Sequence, residues 1–295
     1  MKRKLSILIL NRNNSDAVLK IWNDLHKQTF QNFNLVVVDD NSENQNLNKL
    51  LSIKNKDFYV FSYPSPWKFD IDTKFFWGLR KCTALSTNYT YCLQTDMKIK
   101  SLNLLEKLVD FLDKNENYGA ISPTIYDNNN NISWGPNIIK KRLGRKLNIN
   151  ETVCFRNILI NEMYDENKIK RLVYYGSEFY YTNWFRINKY LTCSIAGISV
   201  SHYGGGTSKK YFKYKHYYRM RTTIIILKLF NYDHSLLTKI RYLYEEISLQ
   251  RFLLIKYLKE LKLLKIIMIS NLMIKGLMSG LYNSLYVKSI KANNK

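Results

Sequence analysis

Proline and glycine are scarce, at 4 and 11 of 295 residues, which excludes collagen-like repeats and long flexible linkers. Cys82, Cys92, Cys154 and Cys193 lie 10, 62 and 39 residues apart, so no CxxC pair offers a zinc or dithiol site, and reduced, buried thiols are expected. No GxGxxG or GxxxxGKS/T stretch cradles a phosphate, and no GxSxG elbow presents a serine nucleophile. Long uncharged apolar runs are missing too. The strongest, Leu263 to Tyr282, is broken by Lys265, Asn271 and Lys275, whereas a spanning helix needs about 20 residues with few charges. After Met1-Lys2-Arg3-Lys4 only six residues, Leu5 to Leu10, precede Asn11-Arg12, too few for the apolar core of a secretory signal. The expected location is the cytoplasm or, peripherally, the cytosolic face of a membrane.

Acidic residues are the other deficit: 23 Asp and Glu face 46 Lys and Arg, a net charge of +23. Such an excess calls for an anionic partner, whether nucleic acid, a membrane face or a phosphorylated substrate. With 34 Lys against 12 Arg and 32 Asn, a coding bias toward A and T explains the same numbers. The charge is uneven: residues 209–295 hold 18 basic and 4 acidic residues, and residues 1–208 hold 28 and 19. Hydrophobic residues at 46% and aromatics at 14% are enough for a packed core, so a disordered chain is excluded.

The order of segments predicts an α/β protein. Leu5 to Leu10 and Leu35 to Val38 are near-continuous apolar runs, as in strands buried on both faces of a parallel sheet. Between them, Val18, Ile21, Trp22 and Leu25 recur at helical spacing over 17–28, with Asp16 as the expected N-cap. Phe58 to Phe61 reads as a strand, 73–85 as a helix, Tyr89 to Leu93 as a strand, Leu102 to Leu112 as a helix and Gly119 to Ile125 as a strand. Asp127 to Asn131 reads as a turn, and the basic 140–146 stretch as a mobile loop. Gly204-Gly205-Gly206 is the strongest backbone punctuation, so a boundary is expected near 208, followed by a basic, helical region 209–295.

Polar residues at the strand ends carry the candidate chemistry, because ligands of open α/β sheets sit beyond the carboxyl ends of the strands. Asn11, Asp39 and Asp96 are such ends. Asp39 and Asp40 either accept hydrogen bonds from a nucleotide base or close an Asx turn with Asn41-Ser42. Gln94 and Asp96, two apart, are expected on one side of the chain, where they hold a ribose hydroxyl and a hard cation or merely form a polar turn. Glu178, among Tyr174, Tyr175, Phe179, Tyr180 and Tyr181, is either a general base or a carboxylate opening a helix. His202 ends the strand around Ile198 to Val200, as a ligand or a structural residue.

The succession Ser6 to Asn11, Val36-Val37-Val38-Asp39-Asp40-Asn41-Ser42, Leu93-Gln94-Thr95-Asp96, Glu178 and Val200-Ser201-His202 resembles family 2 glycosyltransferases of the GT-A fold, over about residues 4–208. The resemblance implies a mostly parallel, Rossmann-like sheet flanked by helices, with a nucleotide-sugar-binding half at 1–98 and an acceptor half at 99–208. It implies that Asp39 reads the donor's base, with Asn11 and Asp40 beside the nucleotide. Gln94 falls where the family's DxD motif has its first acid, which leaves Asp96, with His202 nearby, for Mg²⁺ or Mn²⁺. Glu178 matches the base that deprotonates the acceptor hydroxyl, and Ser177 stands in place of the acid before it. Arg80, Lys81 or the basic residues after Gly206 are expected to add charge near the donor's diphosphate.

The reading is an inverting transfer from a nucleoside-diphosphate sugar to a glycan or lipid-linked acceptor, in surface polysaccharide or glycolipid assembly. Region 209–295 would meet an anionic membrane surface or pack on the catalytic domain. No nucleic acid is expected as a partner. Three alternatives stand beside it: a nucleotidyltransferase on a similar sheet, a non-enzymatic basic nucleic-acid-binding module, and a transferase inactivated by Gln94 and Ser177.

Overall fold

The computed structural model describes residues 4–64, 71–136, 138, 140–142, 145–147, 149–150, 152–165, 169, 177–203, 217–218, 221–222, 224–225 and 263–292. Within them a nine-stranded mixed sheet runs through the molecule. Its first half is β1 (Leu5–Asn11), α1 (Ser15–Leu25), β2 (Phe33–Asp39), α2 (Asn44–Leu51), β3 (Phe58–Ser62), α3 (Ile71–Ala84) and β4 (Tyr89–Gln94). These four strands are parallel in the order β3-β2-β1-β4. The side chains of β2 are buried throughout and those of β1 nearly so, which is why both read as unbroken apolar runs.

The second half is β5 (Met97–Ile99), α4 (Leu104–Lys114), β6 (Tyr118–Tyr126), β7 (Ile132–Trp134), β8 (Lys140–Arg142), β9 (Arg145–Leu147), β10 (Cys154–Arg156), α5 (Asn157–Met163), α6 (Ser177–Ile187) and β11 (Leu191–His202). Short β10 pairs antiparallel with both β4 and β6 and joins the halves, β11 runs parallel to β6, and β5 closes the edge against β11. A 30-residue helix, α7 (Leu263–Ala292), ends the described chain.

Several expectations are corrected. Asp16 lies inside the first turn of α1 rather than capping it, and Asn14 occupies the cap position. The basic 140–146 stretch is a hairpin, β8 with β9, rather than a loop. The 132–170 region also supplies buried Val153, Cys154, Phe155, Leu159, Ile160 and Met163 to the core. The triple glycine expected at the boundary lies outside the described residues. All four cysteines are free; Cys82, Cys92 and Cys154 are buried, and burial pushes their thiols far above the ordinary range, leaving them inert.

Helix α3 packs tightly on the sheet. A Cβ on Gly78 would meet Leu8 Cδ1 at 2.8 Å and Val38 Cγ2 at 3.1 Å, so the missing side chain sets how closely α3 approaches β1 and β2.

Candidate active site

In the order β3-β2-β1-β4 the chain reverses direction of travel between β1 and β4, and the crevice outside the carboxyl ends of these two strands is where such sheets take ligands. Asn11 ends β1, Asp39 ends β2 and Gln94 ends β4. The register pairs Asn11 with Asp39 and Leu10 with Gln94, so the three ends lie side by side.

Asp39 is 1% exposed, and both of its oxygens are engaged. Asn11 Nδ2 donates to Oδ1 at 3.0 Å, and the Ser42 backbone N–H donates to Oδ2 at 3.0 Å. Asn41 adopts φ 51°, the left-handed conformation that Asn tolerates in such turns. The turn that Asp39 closes with Asn41-Ser42 is therefore present, and the carboxylate that closes it is buried. The loops after β1 and β2 are sewn to each other: Asn13 N donates to Ser42 Oγ, and Glu43 N to Asn13 Oδ1. Because the Asp39 carboxylate can only accept, the amide of Asn11 presents Nδ2 to it. Its Oδ1 is then buried without a partner. An unpaired buried acceptor costs about 1–3 kcal/mol, and a ligand N–H or O–H at the crevice relieves that cost.

Asp40 stands between two cations. Arg12 Nη1 lies 3.3 Å from Oδ2, and Lys74 Nζ lies 2.6 Å from Oδ1. Lys74, at the end of the first turn of α3, is 2% exposed, and lysine is buried to that degree almost only when paired. Its ammonium also sits 5.5 Å from the Tyr63 ring centre. Sequence reasoning missed Lys74 and Arg12. The available signal was a lysine opening the aromatic run Phe75-Phe76-Trp77, where an unpaired charge has no reason to be.

The structure does not bring Arg80 and Lys81 to this cluster. Arg80 lies over the Tyr164 ring, and Lys81 lies over Trp77 and Phe61. Lys81 is seven residues past Lys74, about 10 Å further along the helix toward the opposite edge of the sheet.

Asp96 is not a continuation of β4, as alternation had implied; it sits in the turn between β4 and β5. From there its Oδ2 lies 3.2 Å from His202 Nε2, across 106 residues of sequence. Both side chains are about one-third exposed, at 31% and 29%. The juxtaposition is fixed by backbone: His202 pairs with Met97 in the β5–β11 ladder, and Tyr203 N donates to Asp96 O at 3.0 Å. Asn128 Nδ2 in turn donates to Tyr203 O at 2.7 Å, tying the Asp127 to Asn131 turn to the same strand end.

No group of three or more His, Cys, Asp or Glu side chains gathers to hold a metal among the described residues. One carboxylate and one imidazole make no cage for a resident ion. They do suit a cation shared with substrate phosphates, the usual way Mg²⁺ is bound. Glu178 lies in the first turn of α6, partly exposed, where the helix dipole favours its charge. The aromatics after it, Phe179, Tyr180 and Tyr181, are buried.

Residues 6–176 match the family described as Glycosyl transferase family 2, which is more than half of the chain. The chain belongs to glycosyl transferase family 2. It is a glycosyltransferase, and the family decides against the nucleotidyltransferase and nucleic-acid-binding readings. No curated protein matches this transferase in sequence. Among solved structures, the 1–349 piece of S. aureus TarS is 16% identical, with 84% of this chain and 71% of that chain covered and a TM-score of 0.58. Against a longer S. aureus TarS structure this transferase spans 43% of that chain, at a TM-score of 0.55. The mannosyltransferase PcManGT from Pyrobaculum calidifontis, solved with GDP-Man and Mn²⁺, is 11% identical, with 96% of this chain and 88% of that chain covered and a TM-score of 0.55. These likenesses are at the level of the fold, and the fold is GT-A.

Proposed function

We propose that this transferase moves a sugar from a nucleoside-diphosphate donor to a hydroxyl on a glycan or lipid-linked acceptor, with inversion at the anomeric carbon. Two contacts support this reading: Asn11 with Asp39 at the carboxyl ends of β1 and β2, and Asp96, in the turn after β4, with His202 at the end of β11. Donor complexes of related folds point the same way, since S. aureus TarS holds UDP-GlcNAc and PcManGT holds GDP-Man.

In this reading Asp39 and Asn11 receive the nucleotide's base and Gln94 its ribose. The Asn11 acceptor that lacks a partner is where a ligand donor is most valuable. Asp40, held by Arg12 and Lys74, keeps the β2–α2 loop in place beneath the nucleotide. Asp96 and His202 would hold Mg²⁺ or Mn²⁺, which supplies positive charge to the departing diphosphate. Glu178 takes the proton as the acceptor oxygen bonds to the anomeric carbon and the bond to the diphosphate oxygen breaks, so the charge created on one side is matched by a proton taken on the other.

Residues 1–98 form the donor half and 99–208 the acceptor half. The basic region 209–295 meets an anionic membrane surface on the cytosolic side, in the assembly of surface polysaccharide or glycolipid. The test is calorimetry with UDP, GDP, dTDP and CMP, each with and without Mn²⁺. One nucleotide is expected to bind, about tenfold more weakly to Asp39→Ala. Equal affinity for wild type and Asp39→Ala would take Asp39 out of the base pocket.

A further inference from the structure

Helix α7 has two apolar faces. One is docked: Ile269 and Met273 are buried, and a Cβ on Gly276 would lie 2.2 Å from the Tyr217 carbonyl oxygen, so the backbones touch and the helix cannot turn about its axis. At about 100° per residue, Ile267, Ile274, Met278 and Leu281 fall within about 40° of one line on the opposite side. They are 64%, 61%, 60% and 41% exposed. Four bulky apolar side chains thus face outward along about 21 Å of helix, with exposed Asn271 between the first two, and soluble monomers seldom leave so many on one face uncovered.

Charge narrows what covers it. The 30 residues of α7 include Lys265, Lys275, Lys288 and Lys291 and not one Asp or Glu, and no acidic residue follows Glu260 anywhere in the sequence. Lys275 is exposed beside the stripe. A second copy packed through the same face would bring lysines together with no carboxylate on the helix to pair them. A lipid surface with anionic headgroups supplies both needs, acyl chain for the stripe and phosphate for the lysines. Crossing the bilayer is a different matter, and no described helix is long and apolar enough for it.

We propose that α7 lies in the headgroup layer of an anionic membrane, parallel to its plane, with Ile267, Ile274, Met278 and Leu281 inserted and Lys275 at the level of the phosphates. The proposal rests on the peripheral-membrane reading above and is independent of the donor chemistry. It fixes which face of the protein meets lipid, and so the side from which a lipid-linked acceptor enters.

The experiment is co-sedimentation of the full chain with vesicles of phosphatidylcholine alone and with an equal share of phosphatidylglycerol. The wild type is expected to pellet with the anionic vesicles and to be released by high salt. Ile274→Ser with Met278→Ser should weaken that binding about tenfold, and Lys275→Glu by a smaller factor. Both serine positions are exposed, and an unchanged circular dichroism spectrum and melting temperature verify the fold. No binding by the wild type to either vesicle overturns the membrane reading itself. Wild-type binding that the double variant keeps overturns only the assignment to this stripe. A dimer seen by light scattering, free of lipid and dissociated by the double variant, overturns the proposal in favour of a second copy.

Discussion

At the amino-terminal edge of the parallel strands, Lys4 and the Tyr89 hydroxyl both donate to Asp113, and Arg156 donates to the carbonyls of Leu112, Asn115 and Tyr118 around the end of α4. At the carboxyl edge, Arg12 and Lys74 hold Asp40, Asn11 holds Asp39, and His202 lies against Asp96. The side chains of Lys4, Tyr89, Asp113, Arg156 and Asn157 leave no buried nitrogen or oxygen without a partner, but Asn32 Oδ1 and Asn34 Oδ1 at the start of β2 have none, just as Asn11 Oδ1 has none at the carboxyl edge. A hollow lies at the lower edge too, lined by Thr87, Asn88, Tyr89, Arg156, Asn157 and Ile158, yet its polar groups already satisfy one another. The carboxyl edge differs in that its unpartnered acceptor, Asn11 Oδ1, belongs to the same amide that holds the buried carboxylate of Asp39.

Substitutions at the two edges should separate chemistry from stability. The largest effect is expected from Glu178→Gln, which removes the base: sugar transfer should fall about 10³-fold while nucleotide binding and melting temperature hold. Transfer near the wild-type rate would release Glu178 from that role. Lys74→Met leaves Asp40 buried with Arg12 alone and should cost about 3 kcal/mol in urea unfolding. Adding Asp40→Asn should restore part of that loss, because a neutral side chain no longer needs the ammonium; no recovery would mean that Lys74 acts through packing.

At the lower edge Arg156→Met strands carbonyls at the end of α4 and should lower stability by about 2 kcal/mol, with kcat/KM for the donor unchanged. A fall in kcat/KM larger than the loss of folded protein would join the two edges functionally. The smallest effect concerns acid. Partial burial works against ionisation of Asp113, but the hydrogen bonds from Lys4 and Tyr89 outweigh it and hold its carboxyl below the usual range. With the folded value below the unfolded one, near 3.9, the contribution is full above about pH 5 and disappears as pH falls through the folded value. Lys4→Met should flatten that acid limb by less than about 1 kcal/mol, the partners being part-exposed.

How much of this was legible in the sequence depended on the range of the interaction. Strands β1 and β2 announced themselves because burial on both faces leaves no polar interruption, and Asp39 was conspicuous because a carboxylate ends such a run. Short β10 was invisible, since three residues carry no period, and the basic hairpin β8–β9 reads as a loop when charge is taken for exposure. Lys74 was illegible for another reason. Its partner lies 34 positions earlier, and only the packing of α3 brings the two together. Asp96 and His202 were each singled out alone, but their contact is a property of the β5–β11 ladder and not of any local pattern.

Gly78 gives that last point a practical edge. Lys74 sits one turn before it on the same rod, so the hydrogen atom at Gly78 works as a shim that sets the height of an ammonium above a carboxylate. Gly78→Ala puts a methyl against Leu8 and Val38, so either those side chains or the rod must give way, and where the rod moves the ion pair one turn away is stretched although neither charged residue has been altered. A site assembled from rigid pieces in this way inherits its calibration from residues that never touch it, and redesigning its donor preference begins with leaving those spacers alone.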